Sequence, residues 1–236
     1  MIINCFKDKL FEDLKQHNQW IVDVCDRHII NPFGIGNHLW HSCWWYDPRG
    51  QQKLHLTSSY RKLGKIVFPE PDPKVYEDRF CLIMYAPNYP SLFVINKLYE
   101  DRKDVLIEDL GCGLSQVCFY LTKLGFKNIS LVENYKFITE ALAKDFWKTA
   151  FGNYKLNEPN TQPIVSNIVG HHPMPKEFTP STELYCVYEK DTLIEDFEKL
   201  EGYKFLARDS DGMINFYARN DKYDEFKAKL EPYKVD

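Results

Sequence analysis

The stretch Val105-Leu106-Ile107-Glu108-Asp109-Leu110-Gly111-Cys112-Gly113-Leu114-Ser115 decides the fold. A compact apolar run that ends in acids and glycines reads as a buried parallel strand. Gly111 and Gly113 then allow a sharp turn and a close approach of the backbone to a ligand. Residues 115–124 read as a helix, whose first N–H groups have no partner inside the helix. Gly125-Phe126-Lys127-Asn128 is a turn, and Ile129-Ser130-Leu131-Val132 is a second strand that ends at Glu133. A second helix is expected over 135–150. Strand, helix, strand and helix in that order argue for a parallel sheet with crossover helices.

Working outward, 164–169 and 184–188 read as further strands. Residues 192–200 read as a helix with Asp191 as N-cap and Gly202 just past its end. Residues 203–209 and 213–219 form an expected hairpin around Ser210-Asp211-Gly212, and 222–230 a closing helix. Upstream, 91–102 reads as a short helix. The run Pro69-Glu70-Pro71-Asp72-Pro73 reads as a surface loop, because proline fixes φ and lacks the donor. Residues 35–48 hold Trp40, Trp44, Trp45 and Tyr46 with His38 and His41. Phe6, Leu10, Leu14, Ile21 and Val24 recur at helical spacing over 5–30, until Asn31-Pro32-Phe33-Gly34 stops it.

Two ligand classes suit a glycine turn between a strand and a helix. A dinucleotide needs a third glycine three positions after Gly113, where Gln116 stands. Its pyrophosphate would also meet Glu108 and Asp109 at the strand tip. A ligand with an ammonium and a sulfonium but no phosphate suits those carboxylates, and S-adenosylmethionine is such a ligand. Glu133, twenty residues after Gly113, is an acid that can accept from both ribose hydroxyls.

The stretch 105–135 resembles motifs I to II of class I S-adenosylmethionine-dependent methyltransferases: a strand, Asp109-Leu110-Gly111-Cys112-Gly113, a helix, a strand and an acid. The resemblance covers about thirty residues. It implies that Gly111 and Gly113 line the methionine part of the cofactor, that Asp109 faces its amino group and that Glu133 holds the ribose. Glu108, Cys112, Ser115 and Asn134 complete the expected cofactor set. Asn134 and Asn167 are candidates for the adenine edge, with a turn or cap role as the plainer alternative. Ser115 stands where the usual pattern has a third glycine.

The implied fold is α/β: a doubly wound, mostly parallel Rossmann-like methyltransferase sheet over 104–236, with a helical and aromatic extension over 1–103. The segment after Asp104 is short for seven strands, so a reduced sheet is also carried. The implied activity is methyl transfer to an unspecified acceptor (a small molecule, a protein or a nucleic acid). A sulfonium is already a good leaving group, so the enzyme needs mainly alignment and exclusion of water. A base is required only where the acceptor carries a proton that must leave. His171 and His172 are the candidates for it.

Ser115 and the short C-terminal half motivate a second reading, a noncatalytic methyltransferase-like scaffold. A third is a nucleic-acid-binding module. Arg49, Lys53, Arg61, Lys62 and Lys65 lie over 48–69 without an intervening acid, next to the tryptophans. A solvated face beside a buried aromatic cluster is the plainer account. The single proline of Asn31-Pro32-Phe33 and the absence of a Pro-Cys nucleophile speak against DNA base methylation. Cys25-x-x-His28 and His38-x-x-His41-x-Cys43 carry ligand-type residues at spacings that match no standard zinc pattern, so no metal is expected.

A net charge of −4 gives no general pull toward nucleic acid, and 15% aromatic content argues against disorder. Lys7, Asp8 and Lys9 interrupt any signal-peptide core, and no apolar run is long enough to span a bilayer. Seven irregularly spaced cysteines suggest no disulfide framework. A cytoplasmic protein with reduced thiols and no membrane partner is expected, its oligomeric state open.

Overall fold

A computed structural model describes residues 1–15, 88–112, 116–133, 139, 154–158, 161–168, 181–188, 200–210, 212 and 214–235. Gly113, Ser115, Asn134, His171 and His172 lie outside them. So do the aromatic and basic stretches over 35–69, Cys25, His28, His38, His41 and Cys43, almost all of the 135–150 helix, and all of the 192–200 helix except Leu200. The chain divides into two compact units, Met1–Asp8 with Pro90–Asp236, and Lys9–Tyr89. In the second unit the described part includes helix α1 (Leu10–Lys15).

Among the described residues the first unit is built on one nine-stranded sheet. Its strands are β1 (Ile2–Ile3), β2 (Leu106–Leu110), β3 (Asn128–Val132), β4 (Tyr154–Leu156), β5 (Val165–Ile168), β6 (Leu184–Tyr188), β7 (Tyr203–Asp209), β8 (Ile214–Arg219) and β9 (Lys234–Val235). Their order is β4-β3-β2-β5-β6-β8-β7-β1-β9. Strands β4, β3, β2, β5 and β6 are all parallel. Strand β8 runs antiparallel to both β6 and β7. The chain winds outward from β2 through β3 to β4, then returns to the other side of β2 for β5 and β6. This is the doubly wound, mostly parallel Rossmann-like sheet, and its order reverses between β2 and β5.

The sheet is not reduced. Seven strands, β2 to β8, fit between residues 106 and 219 because one crossover is short. From Asn157 to Ile164 only eight residues link β4 to β5, too few for the helix that usually makes such a connection. Strand β1 then pairs in parallel with β7, and β9 pairs antiparallel with β1, so segments from both ends of the sequence widen the sheet.

The strands run further into the quoted stretch than their apolar pattern suggested. Glu108 and Asp109 belong to β2, not to its exit loop. Alternation therefore sends them to opposite faces. Asp109 lies with Ile107, Ile129, Leu131, Val165, Asn167, Leu184, Cys186 and Phe216, all buried. Glu108 lies with Leu110, Ile168, Tyr185, Val187 and Tyr217, which pack together with Val132, Leu200 and Tyr203.

Helix α2 (Asn88–Leu98) buries Ser91, Leu92, Phe93, Val94 and Ile95 in succession. A helix apolar nearly all round belongs in a core. Helix α3 (Gln116–Lys123) returns the chain from β2 to β3 and buries Val117 through Leu121. Helix α4 (Tyr223–Leu230) closes on α2: the Tyr99 and Phe226 rings meet edge to face at 5.6 Å, and Lys229 Nζ donates to the Leu98 carbonyl at 3.1 Å. At the edge remote from the strand tips, buried Glu183 receives Arg102 at 2.9 Å with Arg219 3.9 Å away. No helix among the described residues is long and apolar enough to cross a membrane.

Candidate functional site

In an open α/β sheet, ligands bind outside the carboxyl ends of the strands where the strand order reverses. Here that place is the crevice between β2 and β5. The residues nearest to it come from the ends of four parallel strands.

From β2 comes Asp109, 1% exposed. Its register partner on β5 is Asn167, fully buried. Asn167 Nδ2 donates to Asp109 Oδ1 at 2.8 Å. An ionised carboxylate is acceptor-only, so this bond fixes the amide with its NH₂ toward Asp109. Asn167 Oδ1 is buried and has no hydrogen-bond partner among the described residues.

After β2 the chain turns at Gly111, whose φ of 73° an L side chain rarely adopts. The Gly111 and Cys112 amides both donate to the Val132 carbonyl, at 2.9 and 3.2 Å. The turn is thereby tied to the tip of β3, and these two N–H groups are already used. A phosphate cradle would need such groups free.

From β3 comes Glu133, 4% exposed. Asn157, just past β4, holds its main chain from both sides. Glu133 N–H donates to Asn157 Oδ1 at 2.9 Å, and Asn157 Nδ2 donates to the Glu133 carbonyl at 3.0 Å. Asn157 N–H also donates to the Leu131 carbonyl at 2.8 Å. Its φ is 50°, a left-handed conformation that asparagine tolerates better than most residues.

Cys112 sits between the two acids. Burial pushes its thiol well above the ordinary range, and the Asp109 and Glu133 carboxylates push it further. The group is a neutral, packed thiol. Glu108 has a different setting. On the opposite face it accepts a hydrogen bond from Thr161 Oγ1, part of the short β4–β5 crossover. Burial raises its carboxyl above the usual value, and the Thr161 bond only partly offsets this.

No family model and no curated protein matches this sequence. Among solved structures, a protein of Listeria monocytogenes described as a class I S-adenosylmethionine-dependent methyltransferase is similar over 89% of this chain and 88% of its own, at 11% identity and a TM-score of 0.42. A precorrin-6y C5,15-methyltransferase of Geobacter metallireducens is similar over 53% of this chain and 86% of its own, at 19% identity and a TM-score of 0.37. A TehB-like SAM-dependent methyltransferase of Corynebacterium glutamicum is similar over 54% of this chain and 88% of its own, at 12% identity and a TM-score of 0.36.

Of the residues read from the sequence, Asp109, Gly111, Cys112 and Glu133 come together at the strand tips, while Glu108 faces away. Asn167, a candidate for the adenine edge or for a plain turn or cap role, donates to Asp109 from the neighbouring strand. Asn157 and Thr161 were missed. An asparagine after a short strand was the available signal for Asn157, since that residue type favours left-handed turns. Among the described residues no group of three or more His, Cys, Asp or Glu could hold a metal ion.

The donor and acceptor set fits a cationic, hydroxyl-bearing ligand. Asp109 and the Asn167 carbonyl, which has no partner among the described residues, are acceptors suited to an ammonium, and Glu133 is a carboxylate suited to a diol.

Proposed function

We propose that this chain is an S-adenosylmethionine-dependent methyltransferase that moves a methyl group to its acceptor by in-line displacement. One observation carries the reading. Two buried carboxylates, Asp109 and Glu133, stand on neighbouring strand tips around a glycine turn whose Gly111 and Cys112 amides are already bonded to Val132. Such a site attracts a cation and repels phosphate, which separates it from a dinucleotide site built on the same strand order.

In this reading Asp109 takes the amino group, Glu133 the ribose hydroxyls, and Gly111 and Cys112 line the ligand, joined by Gly113, Ser115 and Asn134. The cofactor, when bound, supplies the methyl group and its own leaving group. The protein's part is to hold it and the acceptor in line and dry. His171 and His172 are the proposed bases for an acceptor that must lose a proton. Cys5, Cys112, Cys118 and Cys186 are buried and outside any disulfide, as suits a reducing cytoplasmic setting.

Calorimetric titration with S-adenosylmethionine tests the reading, beside a Glu133→Ala variant and with NAD as a control. The expected result is micromolar binding by the native protein, a loss of at least tenfold in the variant, and no binding of NAD. An inert, folded native protein would overturn the reading in favour of a noncatalytic scaffold.

A further inference from the structure

The doubly wound sheet places one hydrogen-bonded pair of buried polar side chains across its reversal point, Asp109 on β2 and Asn167 on β5. The amide has one half committed: its NH₂ meets the carboxylate. The other half, Oδ1, is shut away from water with no protein partner among the described residues. A buried carbonyl without a donor is costly to keep, and folded proteins keep few of them. A purely structural account would put an apolar residue here, as at Val165 on the same face of the strand. The orphan acceptor lies beside an anionic acceptor, on the two strands between which the strand order reverses. Two acceptors side by side, one charged and one neutral, suit a group with several N–H donors and a positive charge.

We propose that Asn167 recognises the cofactor's ammonium group together with Asp109, its NH₂ orienting the carboxylate and its carbonyl accepting a hydrogen bond from the ligand. The inference rests on the methyltransferase reading above and extends it to a residue outside the glycine motif. Asn167 thereby makes the site selective for ligands that carry the amino-acid end.

The test compares two adenosyl thioethers. S-Adenosylhomocysteine has the ammonium, and 5′-methylthioadenosine lacks the whole amino-acid end. Each is titrated against the native protein and Asn167→Ala, with thermal melts to verify folding. The variant is expected to lose about tenfold in affinity for S-adenosylhomocysteine, the scale of one hydrogen bond to a charged group. Its affinity for 5′-methylthioadenosine should stay within about twofold. An equal loss for both ligands would mean that Asn167 only supports the fold or holds a buried water, and no loss for either would remove it from the site; each overturns the inference while leaving the methyltransferase reading standing. A native protein that binds neither ligand overturns both.

Should Asn167→Ala not fold, Asn167→Asp keeps the shape. Two touching carboxylates share a proton, and a bound cation favours its release. Affinity of Asn167→Asp for S-adenosylhomocysteine should therefore rise with pH between about 5 and 8, with 5′-methylthioadenosine unaffected. Parallel profiles for the two ligands would overturn the inference.

Discussion

Asn157 shows how much a single side chain does at this site. Its amide closes a two-bond ring on the Glu133 main chain, while its own N–H caps Leu131. Those bonds fix where β3 ends and so where the Glu133 carboxylate begins. Two roles can be separated by substitution. Asn157→Gly keeps the left-handed backbone at φ 50° and removes only the clamp. Asn157→Ala removes the clamp and adds the strain of a side chain in that region. Asn157→Gly is expected to lose about 1–3 kcal/mol in urea denaturation, and Asn157→Ala about 1 kcal/mol more. Equal stability of native protein and Asn157→Gly would show that the clamp carries nothing.

At the scale of the element, β2 carries two acids with opposite tasks. Strand alternation places Asp109 on the face it shares with Asn167 and Glu108 under the β4–β5 crossover, where Thr161 donates to it. Burial raises the Glu108 carboxyl above its ordinary value of 4.5. The folded state therefore holds a proton that the unfolded chain has released. Its contribution is fully present below the unfolded value and declines as pH rises through the folded one. Glu108→Gln is always neutral and keeps an oxygen for Thr161. The variant should match the native protein near pH 4 and become the more stable of the two as pH rises past the raised value. Stability curves taken from pH 4 to 8 measure this difference. A constant offset across that range would show that Glu108 titrates normally.

At the scale of the whole molecule, the sheet converts a short motif into a site. Strand order reverses at β2, so the tips of β4, β3, β2 and β5 lie side by side, and Asp109 meets Asn167 while Glu133 meets Asn157, though the four span 58 positions. A ligand bound only by that assembled crevice stabilises the folded state by mass action. At a hundredfold excess over its dissociation constant the gain is about 2.7 kcal/mol. S-Adenosylmethionine should thus raise the melting temperature by several degrees, and NAD should not. A melting temperature that stays put with saturating S-adenosylmethionine would count against the assembled site.

The sequence by itself determined strands β2, β3, β5 and β6, helix α3 between β2 and β3, the hairpin of β7 and β8 and the closing helix α4, and it singled out Asp109, Gly111 and Glu133, but it left β4 unread. These are local properties: apolar runs, glycine freedom and carboxylate charge are readable within a few residues. Even locally its reach ended at Ile107, because charged residues inside β2 break the apolar signal while the backbone ladder to β3 and β5 continues to Leu110. Only the tertiary structure decided the rest. The Asp109–Asn167 pair depends on register between strands that are far apart in sequence. Glu108 faces away because a strand has two sides. The sheet reaches nine strands because a helix-free crossover saves chain, β1 adds itself to β7 and β9 adds itself to β1. Each of these is set by pairing over long sequence separations, where no local pattern records which partner a strand will take.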